Sequence, residues 1–348
     1  MHVAYGQTGG RRREESTMLT SSPATRDVHT ISDGLANAAA AAGYAPSIHD
    51  TQPWRWRVGS DTLDLYVHRS RVLPVTDPDT RLATLSCGAA LLHARTALAA
   101  EGWRVTIARM PDAADQDHLA QVRVYAPAPA DPHAVRRVQT IPLRHTNRRP
   151  VVGPPVGPED LRVITAAVRA EAAWLHILRP EQVVELTAAA DQAQRTDDGG
   201  PEWRTELAYW TGGPRAGVGI PSAVFPQHTP DTTMTGRDLD HLGDLSSSAE
   251  HDRTALFAIL YGQSDEPRDW LRAGEALSAG WLAATERGIS VLPLSAPVEV
   301  ISTRETMRRH LSNLNHPFLV LRFGTVDPAD ANATHAPRRP TDQTIEQL

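Results

Sequence analysis

Two polar stretches carry residue types that could do chemistry. Arg144-His145-Thr146-Asn147-Arg148-Arg149 sets three guanidinium groups within six residues, interleaved with a hydroxyl and an amide. A guanidinium is a planar, permanently charged fork that grips phosphate through paired N–H bonds, so the cluster reads either as an anion site or as a solvated charged turn. The chain has no lysine, and any phosphate held by side-chain charge must be held by arginine. The other stretch runs from Tyr44 to Trp56, with Pro46, Ser47, Thr51 and Pro53 between an alanine-rich helix and an apolar strand. Its small hydroxyls and open backbone groups suit a flat heteroaromatic ligand, and equally an ordinary helix-to-strand connection. A third basic pair, Arg338-Arg339, stands between Pro337 and Pro340 and reads either as part of a phosphate pocket or as a polar tail.

Other chemistries find no support. There is no HExxH, GxSxG or P-loop motif, and Gly217-x-Gly219 follows no strand and runs into Pro221. The fifteen histidines lack metal-ligand spacing, and His49 and His145 read as hydrogen-bonding walls. Cys87 is the sole cysteine, which excludes internal disulfides, and reads as a small buried residue. A net charge of −6 argues against a general nucleic-acid partner. No uninterrupted apolar run reaches the roughly 20 residues of a membrane helix. The first 28 residues lack an apolar signal region and read as a disordered tail, and the expected setting is reducing and cytoplasmic.

The elements that must position these residues follow a repeated order. From 29 to about 132 the pattern is helix, loop, strand (Trp54–Val58), strand (Thr62–Val67), helix (Arg81–Glu101), strand (Trp103–Ala108) and strand (Leu119–Tyr125). Residues 133–348 repeat it: Gly88 to Gly102 and Gly274 to Gly288 have the same spacing, and each second glycine ends a helix and precedes a strand. The last strand is Phe318–Phe323. The expected fold class is α+β, with two duplicated halves packed about a pseudo-twofold axis as an intramolecular pseudo-dimer. Between 195 and 250 the second half carries a Gly/Pro/Ser-rich insertion with aromatic points, read as a lid or wrapping arm with a short helix at Pro201–Tyr209.

The Tyr44–Trp56 stretch resembles the flavin loop of the nitroreductase family, commonly Pro-Ser-Ser-x-Asn-x-Gln-Pro-Trp. Pro46, Ser47, Gln52, Pro53 and Trp54 agree, whereas Ile48 and Asp50 depart. Arg144, His145, Thr146 and Arg148 are similar to the family's Arg-(Arg/His)-Ser-x-(Arg/Lys) motif, with Thr for Ser. The resemblance implies that they hold the FMN phosphate, ribityl chain and pyrimidine edge. Pro293, Leu294 and Ser295 resemble the segment whose backbone reaches flavin N5 and O4, and Arg338 and Arg339 the basic strip completing the phosphate pocket.

The first half thus holds the Pro-Ser loop and no convincing arginine motif of its own; the second half holds the remaining parts. From about Val28 to Arg339 the chain resembles the fused, single-chain Acg-type branch of the family, with one complete site and an empty twin. The resemblance implies an FMN-dependent oxidoreductase that takes hydride from NAD(P)H. In ping-pong order it would serve a nitroaromatic, quinone or enone-like small-molecule acceptor, with the flavin carrying the chemistry and no protein catalytic residue or metal. The alternative is a lid-covered FMN-binding protein that stores or sequesters flavin. Nucleic acid and membrane are not expected partners, and the oligomeric expectation is a monomer or weak homodimer.

Overall fold

The computed structural model describes residues 23–196, 200–211, 218–222, 252, 254–325 and 336–348. The first half comprises helix α1 (Pro23–Ala42), strands β1 (Trp54–Val58) and β2 (Thr62–Val67), helix α2 (Arg81–Ala100), and strands β3 (Trp103–Arg109) and β4 (His118–Pro127). Helix α3 (Pro132–Thr140) leads into the second half. There follow α4 (Pro158–Ala170), β5 (Trp174–Ile177), α5 (Pro180–Thr196), α6 (Gly200–Trp210), β6 (Leu256–Gly262), α7 (Pro267–Thr285) and β7 (Ile289–Leu294). Helices α8 (Ala296–Glu299) and α9 (Ile301–His310) precede β8 (His316–Thr325), and a short β9 (Ile345–Gln347) comes last. Helix α1 reaches back to Pro23, into the stretch expected as tail. The remainder of that tail, and the insertion at 212–217 and 223–250, lie outside the described residues.

The duplication is visible in the sheets. One has the order β3-β4-β2-β1-β9; the other, read from its β7 edge, is β7-β8-β6-β5. Replacing β3, β4, β2 and β1 by β7, β8, β6 and β5 converts one into the other, with β9 as the sole addition. Even the irregularities correspond. The β2–β4 pairing shifts register between Leu65 and Tyr66, and the β6–β8 pairing shifts between Leu260 and Tyr261. A bulge re-aims a strand at a fixed point, so a matched pair of bulges is a feature of the common plan. Gly102 and Gly288, which close α2 and α7, both have positive φ, 82° and 69°, a conformation only glycine adopts without cost.

Helices α2 and α7 cross at the centre. A Cβ on Gly88 would lie 1.9 Å from the Leu271 carbonyl oxygen, and one on Gly274 would lie 1.8 Å from that of Leu85. Each glycine therefore admits the backbone of the opposite helix three residues before the other glycine. The cores interlock at this crossing: Leu271 of α7 packs in the first half's core, and Leu82 and Leu85 of α2 pack in the second's. Asp77 starts α2 by accepting the Leu82 and Ala83 N–H groups at 2.9 and 2.8 Å. By length and composition α2 could cross a membrane, but it is the buried centre of the molecule.

Candidate functional site

The loop between α1 and β1 is held in a costly shape. His49, Asp50 and Gln52 have φ of 44°, 53° and 48°, a left-handed region that costs roughly 1–2 kcal/mol per non-glycine residue. Such conformations persist where surrounding bonds over-determine them, and they gather at ligand sites. The Ser47 hydroxyl accepts the Gln52 N–H at 3.0 Å, and the Ser86 hydroxyl of α2 accepts the Ile48 N–H at 3.1 Å. Ile48 packs on the second half's core, which includes Val291 and Leu294.

The chain's last residues lock the loop from the other side. Gln52, 1% exposed, donates through Nε2 to Asp50 Oδ2 (3.1 Å) and to the Pro337 carbonyl (3.0 Å), and its Oε1 accepts the Arg339 N–H (2.9 Å). Gln52, one of the expected cofactor-binding residues, ties the loop to the C-terminal strip through these bonds. Arg338 bonds Asp50 Oδ1 at 2.9 Å and the Ala45 carbonyl at 3.3 Å. Strand β9 then pairs in parallel with β1, Trp56 opposite Ile345, and Arg57 meets Glu346 at 3.0 Å. The strip is thus no free tail after the last strand of its own half, but a crossing onto the first half.

The arginine motif enters through a different anchor. Arg322, on β8 and 2% exposed, donates to the carbonyls of Asn147 (3.0 Å) and Arg149 (2.7 Å) and pairs with Asp252 at 3.2 Å. Asp252 also accepts the Val151 N–H at 2.7 Å. Thr146 forms a parallel bridge with Val291, extending the β7 edge. From this frame the buried Arg144 reaches the first half, donating to the Tyr44 carbonyl at 3.0 Å with its guanidinium 4.6 Å from the Trp281 ring of α7. His145 lies with Nδ1 3.1 Å from the Leu143 carbonyl oxygen.

Charge at this junction is out of balance. Arg71, Arg144, Arg148 and Arg338 all act on Asp50, and Arg339 lies next to Arg71. Burial pushes Arg144 down to about 9, with Arg338 adding to the effect, and pushes Arg148 and Arg339 to about 10. Asp50 is raised to about 6 because burial outweighs the help of Arg338 and Gln52. The Nε of Arg144 is buried without a partner among the described residues. Among the described residues one carboxylate, Asp50, is acted on by four guanidinium groups, an excess of positive charge that an anionic ligand would relieve. Sequence reasoning missed Arg71, which donates to the Thr51 carbonyl and lies 5.1 Å from the Trp210 ring of α6. It also missed Arg322, although an arginine inside the apolar run Phe318–Phe323 was a readable signal.

Of the other expected residues, Pro46 and Ser47 open the loop, and Pro293 and Leu294 end β7. Ser295 precedes α8, its carbonyl accepting the Val298 N–H at 2.8 Å. Ile48 of the loop packs on the core cluster that includes Leu294.

The repeat sets a second place opposite this one. In the first half the residues 43–53 separate α1 from β1; in the second only 171–173 separate α4 from β5. Carrying the Gly88–Gly274 correspondence along the chain sets Arg95 opposite Trp281, Arg109 opposite Ser295 and Ala89 opposite Glu275. Glu275, fully buried, binds Arg109 at 2.6 and 2.8 Å and Arg95 at 2.5 Å, and Arg95 also binds Glu171 at 2.8 Å. Two carboxylates against two guanidiniums leave no charge for a ligand to neutralise. At the place the repeat sets opposite the Arg144–Trp281 contact, a balanced ion network joins the halves.

No general family model matches the sequence. The chain is 34% identical over 307 residues to the Mycobacterium tuberculosis protein named "Putative NAD(P)H nitroreductase Rv3131", covering 87% of this chain and 88% of that one. It is 30% identical over 323 residues to the acg protein of the same organism, which carries the same description, covering 92% and 97%. Among solved structures, the FMN-dependent nitroreductase NfnB of Mycobacterium smegmatis, in complex with NADPH, aligns over 61% of this chain and 97% of its own. That alignment has 16% identity and a TM-score of 0.40, a likeness too low to fix a fold. On the extent of its identity with Rv3131 and acg, the chain belongs to the nitroreductase family.

Proposed function

We propose that this chain is an FMN-dependent oxidoreductase that draws electrons from NADH or NADPH and passes them to a small nitroaromatic, quinone or enone-like acceptor. The observation that carries the reading is the surplus of guanidinium over carboxylate groups among the described residues where the two halves meet, with Arg71, Arg144 and Arg338 all acting on Asp50. A phosphate monoester supplies the charge and acceptor oxygens this surplus lacks. Arg144, with Arg338 and Arg339, would hold the phosphate; His145, Thr146 and Arg148 the ribityl chain and pyrimidine edge; and the loop with Pro46, Ser47 and Ile48, facing Pro293, Leu294 and Ser295, the ring. When bound, FMN supplies hydride acceptance and electron transfer. The protein's part is orientation, exclusion of water by the packing of Ile48 on the second half's core, and a fixed positive field that favours an electron-rich ring. The balanced network at the twin position supports one FMN per chain, so the monomer already contains the pseudo-dimer interface that a site needs.

A second reading has its own observation. Helix α6, from the insertion, docks beside the loop: Glu206 accepts the Val75 and Thr76 N–H groups at 3.0 and 2.8 Å, and Trp210 lies against Arg71. A docked arm favours a sheltered flavin with little turnover. Purified full-length chain titrated anaerobically with NADPH and NADH tests both. Bleaching of the flavin absorbance within seconds, followed by reoxidation with a nitroaromatic, supports the oxidoreductase. Tightly held FMN that neither nucleotide bleaches supports sheltering, and a chain that takes up no FMN refutes both.

A further inference from the structure

Strand β8 buries one arginine in an apolar run, and the duplicated half shows what that arginine does without a site beside it. Aligning the two matched bulges sets Leu65 opposite Leu260 and, on the paired strands, Ala120 opposite Leu319, so Arg123 of β4 is the counterpart of Arg322. Both arginines pair with an aspartate that lies ahead of the neighbouring strand: Arg123 with Asp61 before β2, Arg322 with Asp252 before β6. Their environments are opposite. The side chains of Arg123 and Asp61 are 49% and 42% exposed, whereas those of Arg322 and Asp252 are 2% and 0% exposed. An exposed pair is nearly neutral in stability, but a buried one loses hydration that its own attraction seldom offsets. Stability alone does not account for the buried copy.

What distinguishes the second half is the stretch lying against the pair. Arg322 donates through Nη2 to the Asn147 and Arg149 carbonyls and through Nη1 to Asp252, and Asp252 accepts the Val151 N–H. Alternate residues 147, 149 and 151 are thus tied by main-chain groups, the spacing of an extended chain. A guanidinium is a rigid planar fork, so carbonyls on one arm and a carboxylate on the other fix the chain's direction as a single ammonium cannot. Packing closes the same contact: a Cβ on Gly324 would lie 2.2 Å from Val151 Cγ1. The stretch so held is the one that presents Thr146 and Arg148, and its start, Arg144, bonds the Tyr44 carbonyl of the first half.

We propose that Arg322, held by Asp252, is a positioning residue for the flavin site: it sets the main chain from which Thr146 and Arg148 reach the ligand, and acts through them. This rests on the FMN reading, and the experiment separates the two. FMN is titrated into flavin-free wild type, Arg322→Lys, Asp252→Asn and Arg148→Ala, and into Arg148→Ala combined with each of the other two. Lys keeps the charge and loses the fork; Asn keeps the shape and an acceptor for the Val151 N–H and loses the charge. Expected is about a tenfold weaker FMN affinity in Arg322→Lys and about a threefold weaker one in Asp252→Asn. In the Arg148→Ala background the same substitutions should each weaken binding less than about twofold, because the group they position is gone. Arg123→Lys, the same change at the exposed counterpart, should bind FMN like wild type. A role in stability alone predicts losses that add across the Arg148→Ala background. Additive losses, unchanged FMN affinity in folded Arg322→Lys, or an equal loss in Arg123→Lys overturn the proposal. Should Arg322→Lys not fold, the Asp252→Asn pair decides by the same comparison. Wild type that binds no FMN overturns the underlying reading instead.

Discussion

Gly88 and Gly274 are each other's clearance: a methyl group on either would lie within 2 Å of a backbone carbonyl oxygen on the opposite helix. Backbone cannot rotate aside as a side chain does, so the helices would have to separate. Gly88→Ala and Gly274→Ala should each cost at least about 3 kcal/mol by urea denaturation, at the upper end for overpacked cores. The double variant should cost less than the sum, because both relieve the same approach. Wild-type stability in either single variant would contradict the close crossing of α2 and α7.

The ion network at the twin position should be needed for stability and irrelevant to ligand count. Glu275→Ala leaves Arg109 buried without its carboxylate and Arg95 with Glu171 alone, an imbalance worth about 3–5 kcal/mol. Titration calorimetry on the folded variant should still give one FMN per chain. A loss below about 1 kcal/mol would contradict a balanced network there, and a wild-type stoichiometry of two would contradict one site per chain.

Asp50 titrates near 6 in the folded chain and near 3.8 when unfolded. The folded state therefore binds its proton more tightly, and stability falls as pH rises from about 4 to about 6. The limiting loss is about 3 kcal/mol. Asp50→Asn cannot ionise, so the variant should gain on wild type across that window and hold the gain above it. Removing a competing negative charge should also tighten FMN binding most at neutral pH. Parallel pH–stability curves for the two proteins would show that Asp50 is not the group responsible.

Arg144→Ala removes charge-assisted bonds to phosphate, each worth roughly 1.5–3 kcal/mol. FMN affinity should fall about tenfold to a hundredfold, while riboflavin affinity changes far less. Equal losses would place Arg144 away from the phosphate.

Loosening α6 distinguishes the two functional readings. Glu206→Ala with Trp210→Ala removes the described ties of the arm to Val75, Thr76 and Arg71. A sheltering arm predicts faster anaerobic reduction by NADPH in stopped flow and easier loss of FMN. An unchanged reduction rate would mean that α6 does not limit access.

Much of this was legible in the sequence because it is local. The alternation of Trp54, Arg55, Trp56, Arg57 and Val58 fixes β1 to the residue, and the glycines at both ends of the repeat mark where helices cross and stop. The arginine motif was visible because polar groups in series stand out. What escaped notice depends on distance along the chain. Gln52 and Arg339 meet across 287 residues, and nothing in either segment names its partner. Glu275 lies in an alanine-rich helix where an acid usually faces water, and only the crossing of α2 brings Arg95 and Arg109 to it. Arg71 belongs to a short turn without a motif, and its importance comes from the loop it touches.

The parallel pairing of β9 with β1 sets an order of events during synthesis. Until residues 337–347 leave the ribosome, β1 is an open sheet edge carrying Trp54 and Trp56, and the Pro46–Gln52 loop lacks its outer wall. Closure of the loop is thereby tied to synthesis of β9: a nascent protein can fold both helical layers while the loop still lacks its outer wall. A chain stopped at residue 336 should melt cooperatively yet hold no flavin, and should aggregate more readily than the full-length protein. A truncated chain that retained FMN would show that the pocket closes without its final strand.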